Sequence, residues 1–289
     1  MIPFHAALFA LFLCFLWGGL APAIKIGLTG APPIALAGFR FGIGLCAIAG
    51  WCWWNRIDLR VKQGEWFSLI AITTVFTTQI VCLNLGTSFT SAIHSTILLS
   101  THPIFVTLLA HLFIPDDRLS GAKMIGLAVS FLGVVAVFTD RWTGVGGTWF
   151  VGDLLLLVSS FLLGAILVMT KILMRRINLY KLLIYQMLFG VPVFLGVSLF
   201  IEGTSRYALS SPPVLLAVAY QGFVVAAFFF VAWSHLLDRY PASKLTAFSF
   251  TTPIFGVGLS YLLLGELVTA GLVIGVALVA VGIYLVNRG

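Results

Sequence analysis

"LLSTHPIFV" (98–106) and "FSFTTPIFG" (248–256) read almost as one phrase, 150 positions apart. Each sets Thr-X-Pro-Ile-Phe inside a long apolar run, and the first places His102 directly before the proline. The agreement extends outward. Ala92, Thr96, Thr101, Pro103, Ile104 and Phe105 match Ala242, Thr246, Thr251, Pro253, Ile254 and Phe255, each 150 positions on. Further along, Asp117, Gly126 and Gly133 match Glu266, Gly275 and Gly282 at an offset of 149. Upstream, "LWGGLAPAIKI" (16–26) aligns with "LLGAILVMTKI" (162–172) at an offset of 146, joining Gly18 to Gly164 and Lys25 to Lys171. The same offset joins Arg40 to Gln186. The chain is a duplication, expected to divide into a first repeat at 1–145 and a second at 146–289.

The surroundings of these motifs are built for hydrocarbon. Of the 289 residues 61% are hydrophobic and 9% charged, with a mean hydropathy of +1.12. A soluble domain carries about 25% charged residues, so this chain cannot clothe a water-facing surface. Its apolar segments are also too long for transmembrane β-strands, which span in about 10 residues. The expected fold class is an all-α membrane protein. A helix needs about 20 apolar residues to cross, and ten segments meet that length: 5–25, 32–54, 65–86, 90–114, 120–139, 150–174, 179–202, 212–237, 241–264 and 268–287. The first lacks the basic n-region and A-x-A pattern of a signal peptide and reads as a retained span. Short connections leave no room for an extramembrane domain, which puts function among the helices.

Basic residues supply the orientation. With a cytoplasmic N-terminus the inner side collects twelve Lys and Arg, from Arg56 to Arg288, against Lys25, Arg141 and Arg206 outside. The positive-inside rule then puts both termini in the cytoplasm. Spans 1–5 recur as spans 6–10, and five is odd, so the second copy enters the membrane from the opposite side. Inverted repeats of this kind are a hallmark of secondary transporters, because they frame a midplane site reachable from either face.

WGG…K in span 1, Arg in span 2, and PIF…(D/E)…G…G across the last two spans of each half together resemble the drug/metabolite transporter superfamily, EamA-type. The resemblance covers essentially the whole chain, twice over. It implies a ten-helix bundle of two inverted five-helix repeats around a central cavity, lined mainly by spans 1, 3, 4, 6, 8 and 9. It also implies a bacterial inner-membrane carrier of small metabolites, often working outward. One departure is "FIPDDRLS", where Asp117 stands in place of the usual Glu after an extra Pro115.

The expected cavity wall comprises Trp17, Gln79, Thr101, His102, Phe229, Phe250 and Thr251, with Gln79 and Phe229 as repeat counterparts. Pro22, Pro103 and Pro253 are expected to kink their spans, freeing carbonyls that Thr101 and Thr251 are placed to meet; a static kink and a hinge both fit them. His102 falls mid-span, where polar groups are expensive and functional. Three roles fit it: proton coupling, hydrogen bonding to substrate while neutral, or satisfying a kinked backbone. Arg40 lies about 10 Å from its span end at 1.5 Å per residue, and is expected to snorkel outward or to pair within the bundle in a structural role, with recognition of an anion as the alternative. Lys25 and Lys171 read as solvated anchors at span ends.

Other activities find little support. Asp153, Glu202 and Glu266 lie near span ends, which disfavours a sodium site at the midplane. There is no P-loop pattern, no HExxH or GxSxG set, and no selectivity element of a channel. The four cysteines lack metal or disulfide spacing, and the basic residues form no nucleic-acid patch. No cofactor, metal or enzymatic activity is expected. The expected partners are a small-molecule substrate and the lipid bilayer. One chain carries both halves of the machine, so a monomer suffices, with dimerisation open. The expected activity is export of an amino acid or related amphipathic compound. The alternative is passive exchange of a neutral metabolite, nucleoside, vitamin or drug.

Overall fold

The computed structural model describes residues 3–114, 121–139, 147–203, 210–240, 245 and 247–288, and every described element is helical. Spans 1, 2 and 3 are Phe4–Gly27, Pro33–Trp54 and Glu65–Phe89. Span 4 is split into Ala92–Leu99 and His102–Phe113, and span 5 is Gly121–Thr139. Spans 6, 7 and 8 are Thr148–Leu173, Leu179–Ile201 and Pro212–Arg239. Span 9 is a short 3-10 turn, Ala247–Thr251, followed by Thr252–Leu264, and span 10 is Ala270–Arg288. Among the described residues, seven spans are long and apolar enough to cross a membrane by themselves, while 5, 9 and 10 contribute shorter apolar helices. The Asp117–Pro115 turn lies outside the described residues.

The exterior is apolar, as lipid demands. Phe200 is 92% exposed and Phe67 83%. Trp51, Trp53, Trp54 and Trp66 also project outward around the loop at 55–64, at the level where aromatic rings favour a membrane interface. Below, the end of the bundle where span 1 starts is called proximal and the opposite end distal.

The repeat is visible in the contacts between helices. A Cβ on Gly18 of span 1 would sit 2.9 Å from the Cβ of Phe255 in span 9, and one on Gly164 of span 6 would sit 2.9 Å from the Cβ of Phe105 in span 4. Both members of each pair are repeat counterparts, so the halves embrace through the same two surfaces. Spans 5 and 10 pack likewise: a Cβ on Gly133 would lie 2.9 Å from the Gly275 carbonyl oxygen, and one on Gly282 would lie 2.5 Å from that of Gly126. Such approaches let backbones touch where no hydrophobic drive exists between helices in lipid.

Helix ends are satisfied by charged residues of other spans. Lys25 donates to the Ser88 carbonyl (3.4 Å) and Lys171 to the Leu237 carbonyl (2.7 Å). Each lysine thus meets the C-terminal carbonyls of the third span of its own half, where a cation suits the helix dipole. The solvated-anchor expectation is corrected accordingly: both lysines are helix caps, because a neighbouring helix end lies within reach of each ammonium. At the distal end, Glu202 accepts from the amides of Ile34 (2.9 Å) and Ala35 (3.1 Å), capping span 2. Glu266 accepts from Ala92 and Ile93 (both 2.8 Å), capping span 4. Each carboxylate comes from the second half and caps a helix of the first.

Replacing Glu266 by Ala removes two charge-assisted bonds and leaves two amides unmet at a helix start. The expected loss is about 1–3 kcal/mol, read as a lower midpoint in thermal unfolding of the detergent-purified protein, with Glu266→Gln intermediate.

Candidate functional site

Spans 4 and 9 break at the Pro-Ile-Phe motifs, and the accounting at the break shapes the site. Pro103 and Pro253 each occupy the first turn of a new helix, after the N-cap residues Thr101 and Thr251. There a missing amide hydrogen costs nothing. Upstream carbonyls remain to be met. The hydroxyl of Thr101 donates to the Leu98 carbonyl, and that of Thr251 to the Phe248 carbonyl, both at 2.7 Å. The Leu99 carbonyl, which Pro103 leaves unmet, receives His102 Nδ1 (3.0 Å) and the Ser160 hydroxyl (3.2 Å). Span 1 is interrupted at Gly19, three residues before Pro22.

Between the halves lies a central cavity of about 90 Å3, several times what one buried water needs. Its wall is built from repeat counterparts, position by position: Trp17 with Leu163, Arg40 with Gln186, Gln79 with Phe229, Leu83 with Trp233, and His102 with Thr252. It runs from the level of Arg40 and Leu83 to Thr170 and Ser234, near the proximal ends of spans 6 and 8. On the distal side of Arg40 the bundle is dense, with Ile24, Asn84, Thr87, His94 and Asp153 wholly buried.

One wall is aromatic. Trp17 stacks on Phe229 at 4.7 Å between centroids, and Phe229 stacks on Trp233 at 5.7 Å. The first half contributes the guanidinium and imidazole of the cavity lining, Arg40 and His102. Gln79 donates to the Ser159 hydroxyl (2.8 Å), joining spans 3 and 6 while facing the cavity. His102 lines the cavity too; with Nδ1–H donated to Leu99, its neutral ring presents Nε2 as an acceptor. Of the expected wall residues, Trp17, Gln79, His102 and Phe229 meet in this cavity. Thr101 does not: its hydroxyl lies 2.9 Å from that of Ser160, between spans 4 and 6. Thr251 is spent on the Phe248 carbonyl, and the Phe250 side chain lies outside the described residues.

Two further features bear on the site. Arg40 neither snorkels nor pairs. It is 1% exposed, its carbon Cζ lies 4.5 Å from the Phe41 ring centre, and none of its three guanidinium nitrogens has a hydrogen-bond partner among the described residues. The other feature is a wholly buried pair, His94 Nδ1 to Asp153 Oδ2 at 3.0 Å, bridging spans 4 and 6 distally. Asp153 is near a span end, as its position implied, yet it faces inward. The signal available was its place as the sole acid within span 6. Span 8 also winds as a π-helix over Tyr220–Phe229, which carries Val225, Ala226 and Phe229 onto the cavity wall. Tyr220 donates to the Leu16 carbonyl and Gln221 to that of Ala23 (2.9 Å), tying this stretch to span 1.

A helical bundle of inverted repeats enclosing a polar-and-aromatic cavity is the architecture of a membrane transporter. Comparison with known proteins makes the class specific. Residues 5–139 and 150–288 each match the EamA-like transporter family, and the chain belongs to that family. It is 25% identical to a probable amino-acid metabolite efflux pump of Escherichia coli, over 96% of this chain and 92% of that protein. It is 26% identical to a probable terminal-alkyne amino-acid exporter of Streptantibioticus cattleyicolor, over 94% and 90%. An uncharacterised transporter of Bacillus subtilis is 23% identical over 93% of this chain and 92% of its own. A solved crystal structure superposes with a TM-score of 0.75 at 18% identity, covering 97% of this chain and 95% of the other, and shares the fold.

Removing one partner of a buried hydrogen-bonded pair leaves the other unsatisfied at a cost of about 1–3 kcal/mol, while replacing both with apolar residues can be nearly neutral. Asp153→Leu is therefore expected to lower the unfolding midpoint, and the double variant His94→Leu/Asp153→Leu to recover most of the loss in the same thermal assay.

Proposed function

We propose that this transporter exports an amino acid or related amphipathic metabolite by alternating access, from a bacterial inner membrane with both termini cytoplasmic. The observation that carries the reading is the cavity wall itself, contributed in matched positions by two repeats of opposite orientation. Rocking one repeat against the other exchanges their conformations and moves the opening across the membrane. Two relatives named for amino-acid export support the direction and the class of cargo. The cavity reaches further toward the proximal end, and the excess of Lys and Arg at that end supports a cytoplasmic assignment. The Trp17–Phe229–Trp233 stack offers an apolar surface for a side chain, while Gln79 and His102 offer polar contacts opposite. The two halves, divided near residue 145, act as the rocking units, with the breaks at Gly19, Thr101 and Thr251 as hinge points; one chain is the working unit.

A second reading, facilitated exchange without ion coupling, is favoured by one detail. His102 already spends Nδ1 on the Leu99 carbonyl, and among the described residues the cavity lining contains no carboxylate to relay a proton.

Counterflow in proteoliposomes tests both. Saturable exchange of an apolar amino acid is expected, and Phe229→Ala should raise its half-saturation concentration by about 10-fold, in keeping with about 1.4 kcal/mol of lost stacking and burial. A panel of amino acids, nucleosides and vitamins showing no saturable exchange would overturn the carrier reading. Drive by an imposed pH gradient that disappears in His102→Gln, with exchange retained, would assign proton coupling to His102 and exclude the second reading.

A further inference from the structure

We infer that Arg40 is the binding group for a single carboxylate on the cargo, whose apolar body lies along the Trp17–Phe229–Trp233 stack. The inference rests on the transporter reading and names the chemistry that the site selects. Three observations carry it. First, the guanidinium lies within span 2, seven residues from its start, and is 1% exposed, so it reaches no interface. Second, its Nε and both terminal nitrogens lack any hydrogen-bond partner among the described residues, although nearly every buried polar group finds one. The Phe41 ring at 4.5 Å offers its face to the cation but accepts none of the five N–H bonds in the conventional sense. Third, Arg40 is one of the residues that line the cavity. An ionised group held unpaired in a membrane span is expensive and marks a functional site.

The shape and charge of the surroundings define the partner. A guanidinium presents a planar fork that matches a carboxylate with two parallel bonds. Arg40 is the sole Lys or Arg among the described cavity-lining residues, and its repeat counterpart across the cavity is the neutral Gln186. One positive charge is balanced by one carboxylate. A doubly charged phosphate would leave net negative charge in a low-dielectric chamber, where it would be poorly tolerated. The chemistry is shared by amino acids and by the corresponding acids without the amino group. In an amino acid the ammonium has the faces of the aromatic stack and His102 Nε2 to meet it.

Thermal unfolding of the purified protein provides a test that needs no transport. At matched ionic strength, 3-phenylpropionate and L-phenylalanine are expected to raise the midpoint of the wild type, whereas 3-phenylpropionamide and phenethylamine are not. In Arg40→Met the shift should vanish; in Arg40→Lys it should require roughly tenfold more ligand. Without ligand, Arg40→Met should match or exceed the wild-type midpoint, since it removes an unpaired charge; a marked drop would indicate a structural arginine and overturn the inference. Equal shifts by acid and amide, no shift by either acid, or a shift retained in Arg40→Met would also overturn it. So would methyl phosphate stabilising more than the carboxylates. Counterflow separates the two readings. Acid-specific stabilisation without exchange of any amino acid would leave the Arg40 site standing and remove the amino-acid carrier. Exchange of phenethylamine as readily as phenylalanine would keep a carrier and remove the Arg40 site.

Discussion

In hydrocarbon, a backbone carbonyl without a partner has no water to turn to. That constraint governs the breaks in spans 4 and 9, and the breaks govern the cavity. Each interruption is tolerated because a threonine hydroxyl three residues on meets one carbonyl, in matching geometry in both halves. In the first half His102 and Ser160 meet the next. The same histidine then faces the chamber, so the residue that heals the helix also furnishes polar chemistry at its wall. Proline starts the continuing helix, and its missing hydrogen bond falls where no bond was available.

The two halves share a skeleton and differ in chemistry. Arg40, Gln79 and His102 of the first repeat face positions held by Gln186, Phe229 and Thr252 in the second. One half holds the ionic and imidazole groups, while the other supplies most of the aromatic stack. In the proposed rocking, the repeats would exchange conformations while each side chain stays on its own helix. The inward- and outward-facing forms of that proposal would then not be mirror images in energy, and the proposed cargo would have a defined orientation in both.

Much of the fold was legible in the sequence, for local reasons. Span number follows from length and apolarity, and the duplication from motifs that survive at fixed offsets. The ends of most spans fell within a few residues of their observed places. The site was legible in part. Trp17 and His102 stood out as mid-span aromatic and polar residues, Gln79 came from the family resemblance and Phe229 as its repeat counterpart, whereas the Thr101 hydroxyl lies against that of Ser160 between spans 4 and 6. Lys25 and Lys171 were misjudged because a helix end on another span is invisible to a one-dimensional reading. The π-helical turn of span 8 carries no proline to announce it, and the bare guanidinium of Arg40 is defined by what surrounds it in three dimensions.

The distal carboxylates have a consequence for how such a chain is made. Spans 2 and 4 leave the ribosome long before Glu202 and Glu266, which cap them. During synthesis the first repeat must therefore wait in the bilayer with bare helix starts at the aqueous boundary, where water can hold them. The second repeat then displaces that water as it arrives. Insertion and final locking are separate events, and the later one belongs to the last third of the chain.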